Sequence, residues 1–321
     1  KKSDLLKGSL PIKSISAKGQ KVTITTEEPY PELKSELASP FAAIYDTKAK
    51  SKVTDKPVGT GPYQIDNYKR AQKLELTKFK DYWQGKPKLN KVNVTYHEDG
   101  NTRVDNLLSG KSDLTTDVPI DRISDVKNSK KANIQSTSGF RTHLLLYNHQ
   151  SKKINKNVRE AFDMVINRKE IAKNISKNYA KPASTPFNDR LKNVKNDKVQ
   201  PQDIEKAKKL LAQEGFSKSH PLKINMVTYD GRPELPKIGQ VIQSEAKKAN
   251  IDIQLRNVDD IDGYLKDPKA WDVSMYSYLT IPRGDTGYFF NTAYLPNGAL
   301  NKGHYNNKEV TQLIKKLNTS F

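Results

Sequence analysis

The chain's 321 residues suit about two domains, and 35% hydrophobic with 29% charged content allows a core beneath a very polar surface. The absence of cysteine excludes disulfides, thiolate metal sites and cysteine nucleophiles together. A net charge of +20 makes nucleic acid the first partner to weigh, but Lys48, Lys50, Lys52, Lys111, Lys206, Lys208 and Lys209 are scattered, with no basic stripe interleaved with stacking aromatics. The charge therefore reads as a solvated basic surface, and no nucleic-acid partner is expected.

The chain opens Lys1-Lys2-Ser3-Asp4 with no apolar stretch behind it, which reads as a mature or trimmed piece without a signal peptide. No apolar run approaches the roughly 20 residues needed to cross a bilayer. Gln20–Thr26 alternates polar and β-branched residues and predicts a strand. Tyr30–Leu37 places Leu33 and Leu37 on one helical face, and Lys48–Lys56 is a polar linker. Lys56-Pro-Val-Gly-Thr-Gly-Pro-Tyr63 predicts a rigid turn, with its glycines supplying positive φ and its prolines fixing their own. A phosphate-gripping loop would continue with Lys-Ser/Thr and open a helix, whereas Pro62-Tyr63-Gln64-Ile65 reads as strand. Strands are predicted at 73–79, 91–97 and 112–118, with a short helix over 101–110 that Gly110 stops. Thr142–Asn148 is a continuous apolar strand, expected to be buried on both faces. A helix over 157–171, a loop over 180–200 and an amphipathic helix ending at Gly215 follow. Strand 222–228, helix 236–249 and strand 251–257 form a β-α-β unit, which argues for parallel pairing. Asp259-Asp260 reads as a helix cap, 271–278 as a further strand and 309–317 as a final helix.

In open α/β sheets, ligands bind beyond the carboxyl ends of the strands. Strand 271–278 runs into Leu279-Thr-Ile-Pro-Arg-Gly-Asp-Thr-Gly-Tyr-Phe-Phe290, where Arg283 and Asp285 flank a glycine. Arginine offers a planar fork to a carboxylate, and aspartate offers acceptors to an amine. Together they suit a zwitterion: an amino acid, a peptide terminus or an amino-acid metal chelate. The competing reading is a surface ion pair with no ligand. Arg141, just before the apolar strand, is a second candidate carboxylate anchor. Trp83, Tyr278 and Tyr288 are candidate cleft walls, with core packing as the alternative for each. The five histidines, His97, His143, His149, His220 and His304, show no ligand spacing. His143 reads as a core or hinge residue. His304, after the Arg/Asp loop, is the one candidate metal contact, set against a surface-loop reading. No G-x-S-x-G, H-E-x-x-H or Ser-x-x-Lys motif is present, so no enzyme is expected.

The Lys56–Tyr63 turn, followed by Lys78-Phe-Lys-Asp-Tyr-Trp83, resembles the solute-binding proteins of bacterial ABC importers, in the class that captures oligopeptides and nickel or other metal chelates. Lys80 stands where that family often has Asn. The order Arg103…Leu108…Gly110…Asp113 and the run Asn148…Val158-Arg159…Ala161…Ile166-Asn167-Arg168 are similar to family patterns as well, with Asn167 where Asp is frequent. The resemblance implies an α/β, two-lobed fold of periplasmic-binding-protein type with hinge strands near 141–148, closing over its ligand. It implies that residues 1–57 end the small subdomain of the first lobe, that 58–147 form the first-lobe core and that 148–321 form the second lobe. It also implies that the chain is the family's middle portion. The implied function is extracytoplasmic capture of nickel with an amino-acid or metallophore chelator, by a lipid-anchored or periplasmic monomer, and delivery to permease subunits. In peptide binders an Asp at the position of Asp285 receives the ligand's amino group, whereas Arg283 is more like the metal-chelate binders. Oligopeptide capture is the alternative.

Overall fold

The structure, a computed structural model, describes residues 10–191, 194 and 198–320. The chain's opening residues and part of the 180–200 loop, both read above from sequence, lie outside these. The described residues divide into two compact units, one within 36–137 and the other within 10–35 and 138–320.

In chain order the elements begin with β1 (Ile12–Lys18), β2 (Lys21–Thr26) and α1 (Leu33–Leu37). β1 and β2 pair as an antiparallel hairpin turned at Gly19, where φ is +58°. The first unit then carries β3 (Tyr63–Lys69), β4 (Lys73–Lys78), β5 (Lys91–Thr95), α2 (Gly100–Leu108) and α3 (Ile123–Asn128). β3, β4 and β5 form an antiparallel sheet in that order. Asp99 caps α2, its Oδ1 accepting from the Thr102 N–H at 2.7 Å, and Gly110 ends it at φ +78°.

Two expectations for this unit are corrected. Neither Gly59 nor Gly61 lies at positive φ among the described residues. Gly61 precedes Pro62, and the residue before a proline is held in the extended region, so the prolines set this turn. Residues 112–118 form no strand. Asp117 sits at φ +52°, which breaks an extended run, and its carbonyl accepts from Arg103 Nη2 at 3.0 Å where a neighbouring strand would have bonded.

The second unit continues with β6 (Arg141–Tyr147), α4 (Lys156–Val165), α5 (Arg168–Glu170) and α6 (Ile204–Gln213). After these come β7 (Leu222–Thr228), α7 (Glu234–Lys248), β8 (Ile251–Asn257) and α8 (Ile261–Tyr264). It ends with β9 (Val273–Leu279), α9 (Gly287–Ala293) and α10 (Lys308–Thr319). Its sheet has the order β6-β9-β7-β8. β7 runs parallel to β8 and to β9, as the β-α-β pattern predicts, while β6 is antiparallel to β9. β6 is therefore an edge strand, half-buried rather than buried on both faces: a strand with one neighbour cannot be enclosed like the centre of a parallel sheet.

Strand alternation splits the sheet's two faces. Val273 and Met275 point to a core filled by Val158 and Phe162 of α4, Leu211 of α6 and Ile242 of α7. Tyr278 points the other way, into a cluster with Phe187, Ile281 and Phe289. Val227, Ile261, Leu265 and Trp271 form a third cluster. Asp272, 5% exposed, is satisfied by the Asn225 N–H at 2.8 Å and the Ser151 hydroxyl at 2.6 Å. Asp260 caps α8, its Oδ1 accepting from the Gly263 N–H at 2.9 Å.

Candidate functional site

α7, which follows β7, packs on the sheet face that carries Val273 and Met275, whereas α9, which follows β9, packs through Phe289 on the face that carries Tyr278. In α/β sheets the carboxyl ends of parallel strands are where ligands bind. Four segments meet this end of the sheet: residues 229–233 after β7, 258–260 after β8, 280–286 after β9, and the start of antiparallel β6 at Arg141, which pairs with Leu279.

The loop after β9 is built around Gly284, whose φ of +87° only glycine adopts without strain. On one side of it, the Arg283 guanidinium lies over the Tyr288 ring, 5.0 Å from its centroid. On the other, Asp285 Oδ1 accepts from the Tyr288 N–H at 3.0 Å and starts α9. Asp285 Oδ2 is shielded from solvent and has no hydrogen-bond partner among the described residues. A side chain at Gly287 would collide with the Glu32 carboxylate, which packs directly against that backbone.

Arg283, Asp285 and Tyr288 lie together in the segment after β9, and Arg141 lies at the same sheet end. Arg141 Nη1 donates to the carbonyl and the hydroxyl of Ser277, both at 3.3 Å. Tyr278 faces the opposite side of the sheet, 3% exposed, and its hydroxyl donates to the Leu300 carbonyl at 2.6 Å. Burial first, and nearby Asp262 second, raise its phenol above the ordinary tyrosine range. Trp83 belongs to the first unit, where it is 73% exposed and its Nε1 donates to the Thr60 carbonyl at 3.3 Å. His304 is exposed, in a turn at φ +59°, beside a shallow hollow lined by Asp262, Leu265 and Lys302. Among the described residues, no three His, Cys, Asp or Glu side chains gather where they could hold a metal ion.

Sequence reasoning missed a polar chain beneath Arg141. Residues 141, 143 and 277 share the face that packs under α7. The His143 ring bridges Ser277 Oγ, 3.0 Å from Nδ1, and Glu234 Oε1, 2.9 Å from Nε2, at the first residue of α7. Since Glu234 is a carboxylate, Nε2 carries the proton and donates. The His143 hydrogen bond, more than the nearby Arg232, holds the Glu234 carboxyl below its ordinary range. These contacts join residues 91 and 134 positions apart, so no local motif could have signalled them. His143 itself was noted, as a core or hinge residue.

Residues 3–301 match the family model described as bacterial extracellular solute-binding proteins, family 5 middle. The chain is 62% identical over 318 residues to the nickel-binding protein NikA of Staphylococcus aureus, covering 99% of this chain and 65% of that protein. The crystal structure of that NikA in complex with Ni(L-His)2 superposes with a TM-score of 0.85 at 61% identity, over 99% of this chain and 69% of that one. A nickel ABC transporter structure from Bacillus halodurans matches with a TM-score of 0.79 at 34% identity, over 99% of this chain and 68% of that one. The dipeptide-binding protein DppE of Bacillus subtilis is 28% identical over 82% of this chain and 50% of its own length. The chain thus spans about two thirds or less of the relatives it matches, and it shares their periplasmic-binding-protein fold.

Proposed function

Because this chain belongs to the family 5 bacterial extracellular solute-binding proteins, we propose that the full-length protein captures nickel outside the cytoplasm as a small-molecule chelate and passes it to an ABC permease. The observation that carries this reading is the likeness, at 61% identity and a TM-score of 0.85, to a chain crystallised with Ni(L-His)2. In this reading the Arg283 fork receives a carboxylate of the chelator and Asp285 its amine, with Arg141 as a second cationic anchor. Tyr288 steadies Arg283 through its ring face, and Tyr278 supports the strand end from the other side. Trp83 offers an exposed indole for stacking, and His304 an exposed imidazole within reach of solvent-borne metal. The chelator brings most of the ion's ligands, so the protein works by recognising organic groups and no reaction is catalysed. A monomer held at the cell surface by a lipid or free in the periplasm completes the proposal.

Oligopeptide capture is the second reading, favoured by the likeness to the dipeptide-binding DppE. Fluorescence titration separates the two, since Trp83 is exposed and Trp271 buried. Nickel with L-histidine is expected to give a saturable change at an affinity at least about tenfold above that for bare nickel. An equal response to bare nickel would contradict a chelate held through its organic groups, and saturation by a nickel-free peptide would favour the second reading.

A further inference from the structure

Lysines far apart in the sequence are gathered by the topology of the second unit. β7, β8 and β9 are parallel and β6 runs antiparallel to β9. The segment after β6 and the segments before β7, β8 and β9 therefore share the end of the sheet opposite the candidate site. Hydrogen bonds tie these segments together. Asn148 Nδ2 donates to the Pro268 carbonyl at 2.8 Å, the Asp272 N–H to the Asn225 carbonyl at 2.9 Å, and the Leu222 N–H to the Asn250 carbonyl at 3.0 Å. Lys152, Lys218, Lys223, Lys247 and Lys269 stand here, all exposed, and none takes part in an ion pair among the described residues. The acids of the same segments do little to offset them. Asp272 is buried and paired with Lys153, 3.3 Å away. Glu214 is half-buried and accepts from Asn155 and Asn157, both at 2.6 Å. Asp252 is half-buried, which leaves Asp267 as the exposed acid of these segments. The loops at the other end, 229–233, 258–260 and 280–286, carry Asp230, Asp259, Asp260 and Asp285 against Arg232 and Arg283. Charge is thus segregated along the strand axis, and such a separation orients a protein in the field of a charged surface.

We propose that this lysine-bearing end docks the full-length protein on an anionic phospholipid bilayer, with the ligand-binding end of the second unit turned away from the headgroups. Protein partners are gripped through buried aromatic and arginine anchors. Among the described residues, none of the exposed large apolar side chains belongs to these segments, and their free cations are all lysines. A lysine ammonium is a strongly hydrated point charge on a flexible stem, suited to a diffuse layer of phosphates that demands no fixed geometry. A family that works outside the cytoplasm meets such a layer on the outer face of the membrane. The docking needs no chelate, so it stands apart from the nickel reading.

The test is co-sedimentation of the full-length protein, freed of any attached lipid, with vesicles. Binding is expected to vesicles of about 30% phosphatidylglycerol in phosphatidylcholine and not to phosphatidylcholine alone. It should fade between about 0.1 M and about 1 M salt, as the Debye length shrinks from about 10 Å to about 3 Å. Joint replacement Lys218→Glu, Lys247→Glu and Lys269→Glu is expected to weaken vesicle binding at least about tenfold. The milder Lys218→Gln, Lys247→Gln and Lys269→Gln set should act in the same direction by a smaller factor. Lys48→Glu, Lys50→Glu and Lys52→Glu make the same change in net charge in the first unit and should leave binding within about twofold. Nickel–histidine affinity should be unchanged in every set. Equal loss from the two glutamate sets would reduce the effect to net charge and overturn the docking surface. Equal binding to both vesicle types would overturn it as well. A wild type that ignores vesicles but binds permease subunits, with that binding lost in the first set, would overturn it in favour of a protein partner.

Discussion

Trp271→Ala is expected to destabilise the protein by about 3–5 kcal/mol, seen as a fall in Tm of roughly 6–20 °C. Trp271 is 1% exposed and packs with Val227, Ile261 and Leu265 between the sheet and α8. Its Nε1–H donates to the Leu265 carbonyl at 3.2 Å, and its own carbonyl accepts from the fully buried Asn148 side chain at 2.9 Å. Truncation leaves a large cavity and an unpaired carbonyl, and both add to the lost burial. Trp271→Phe keeps much of the ring and removes the donor, so a smaller loss is expected. Denaturant unfolding measures both, and a loss below about 1 kcal/mol for Trp271→Ala would show that this cluster does not carry the unit's stability.

Arg283→Ala is expected to weaken nickel–histidine capture at least about tenfold, equivalent to about 1.4 kcal/mol, while leaving stability nearly unchanged. The guanidinium's ring contact with Tyr288, 5.0 Å to the centroid, contributes about 0.5–1 kcal/mol at such a partly exposed site. The affinity loss should exceed that figure because a charge-assisted bond to a carboxylate is the stronger interaction. Arg283→Lys should recover only part of the affinity, since an ammonium cannot present a planar fork. Calorimetry beside thermal melts reads the two effects separately; unchanged affinity would remove Arg283 from the site.

Periodicity made the second unit's architecture legible. Leu222–Thr228 and Ile251–Asn257 read as strands around an amphipathic helix, and the register is parallel throughout. Gly110 and Gly215 sit at φ +78° and +85° where helices were expected to stop, and Asp260 caps its helix. β1 was not legible: Ile12–Lys18 is exposed along nearly its whole length, so no core face imposes an alternation on it. α9 was hidden for another reason. Gly284 and Gly287 punctuate its approach and suggest loop, although Asp285 is the residue whose side chain starts it. The Arg283–Asp285 turn could be read because strand end, charges and glycine are contiguous. The Ser277–His143–Glu234 chain could not, because strand pairing and the packing of α7 assemble it from distant positions.

Native mass spectrometry of the full-length protein, purified from cells grown with nickel, tests the central claim most directly. The account predicts a bound mass equal to nickel plus one or more small carboxylate-bearing chelators, lost together on removal of the metal. A ladder of peptide masses without nickel, or an unliganded protein that remains so after nickel and histidine are supplied, would contradict it.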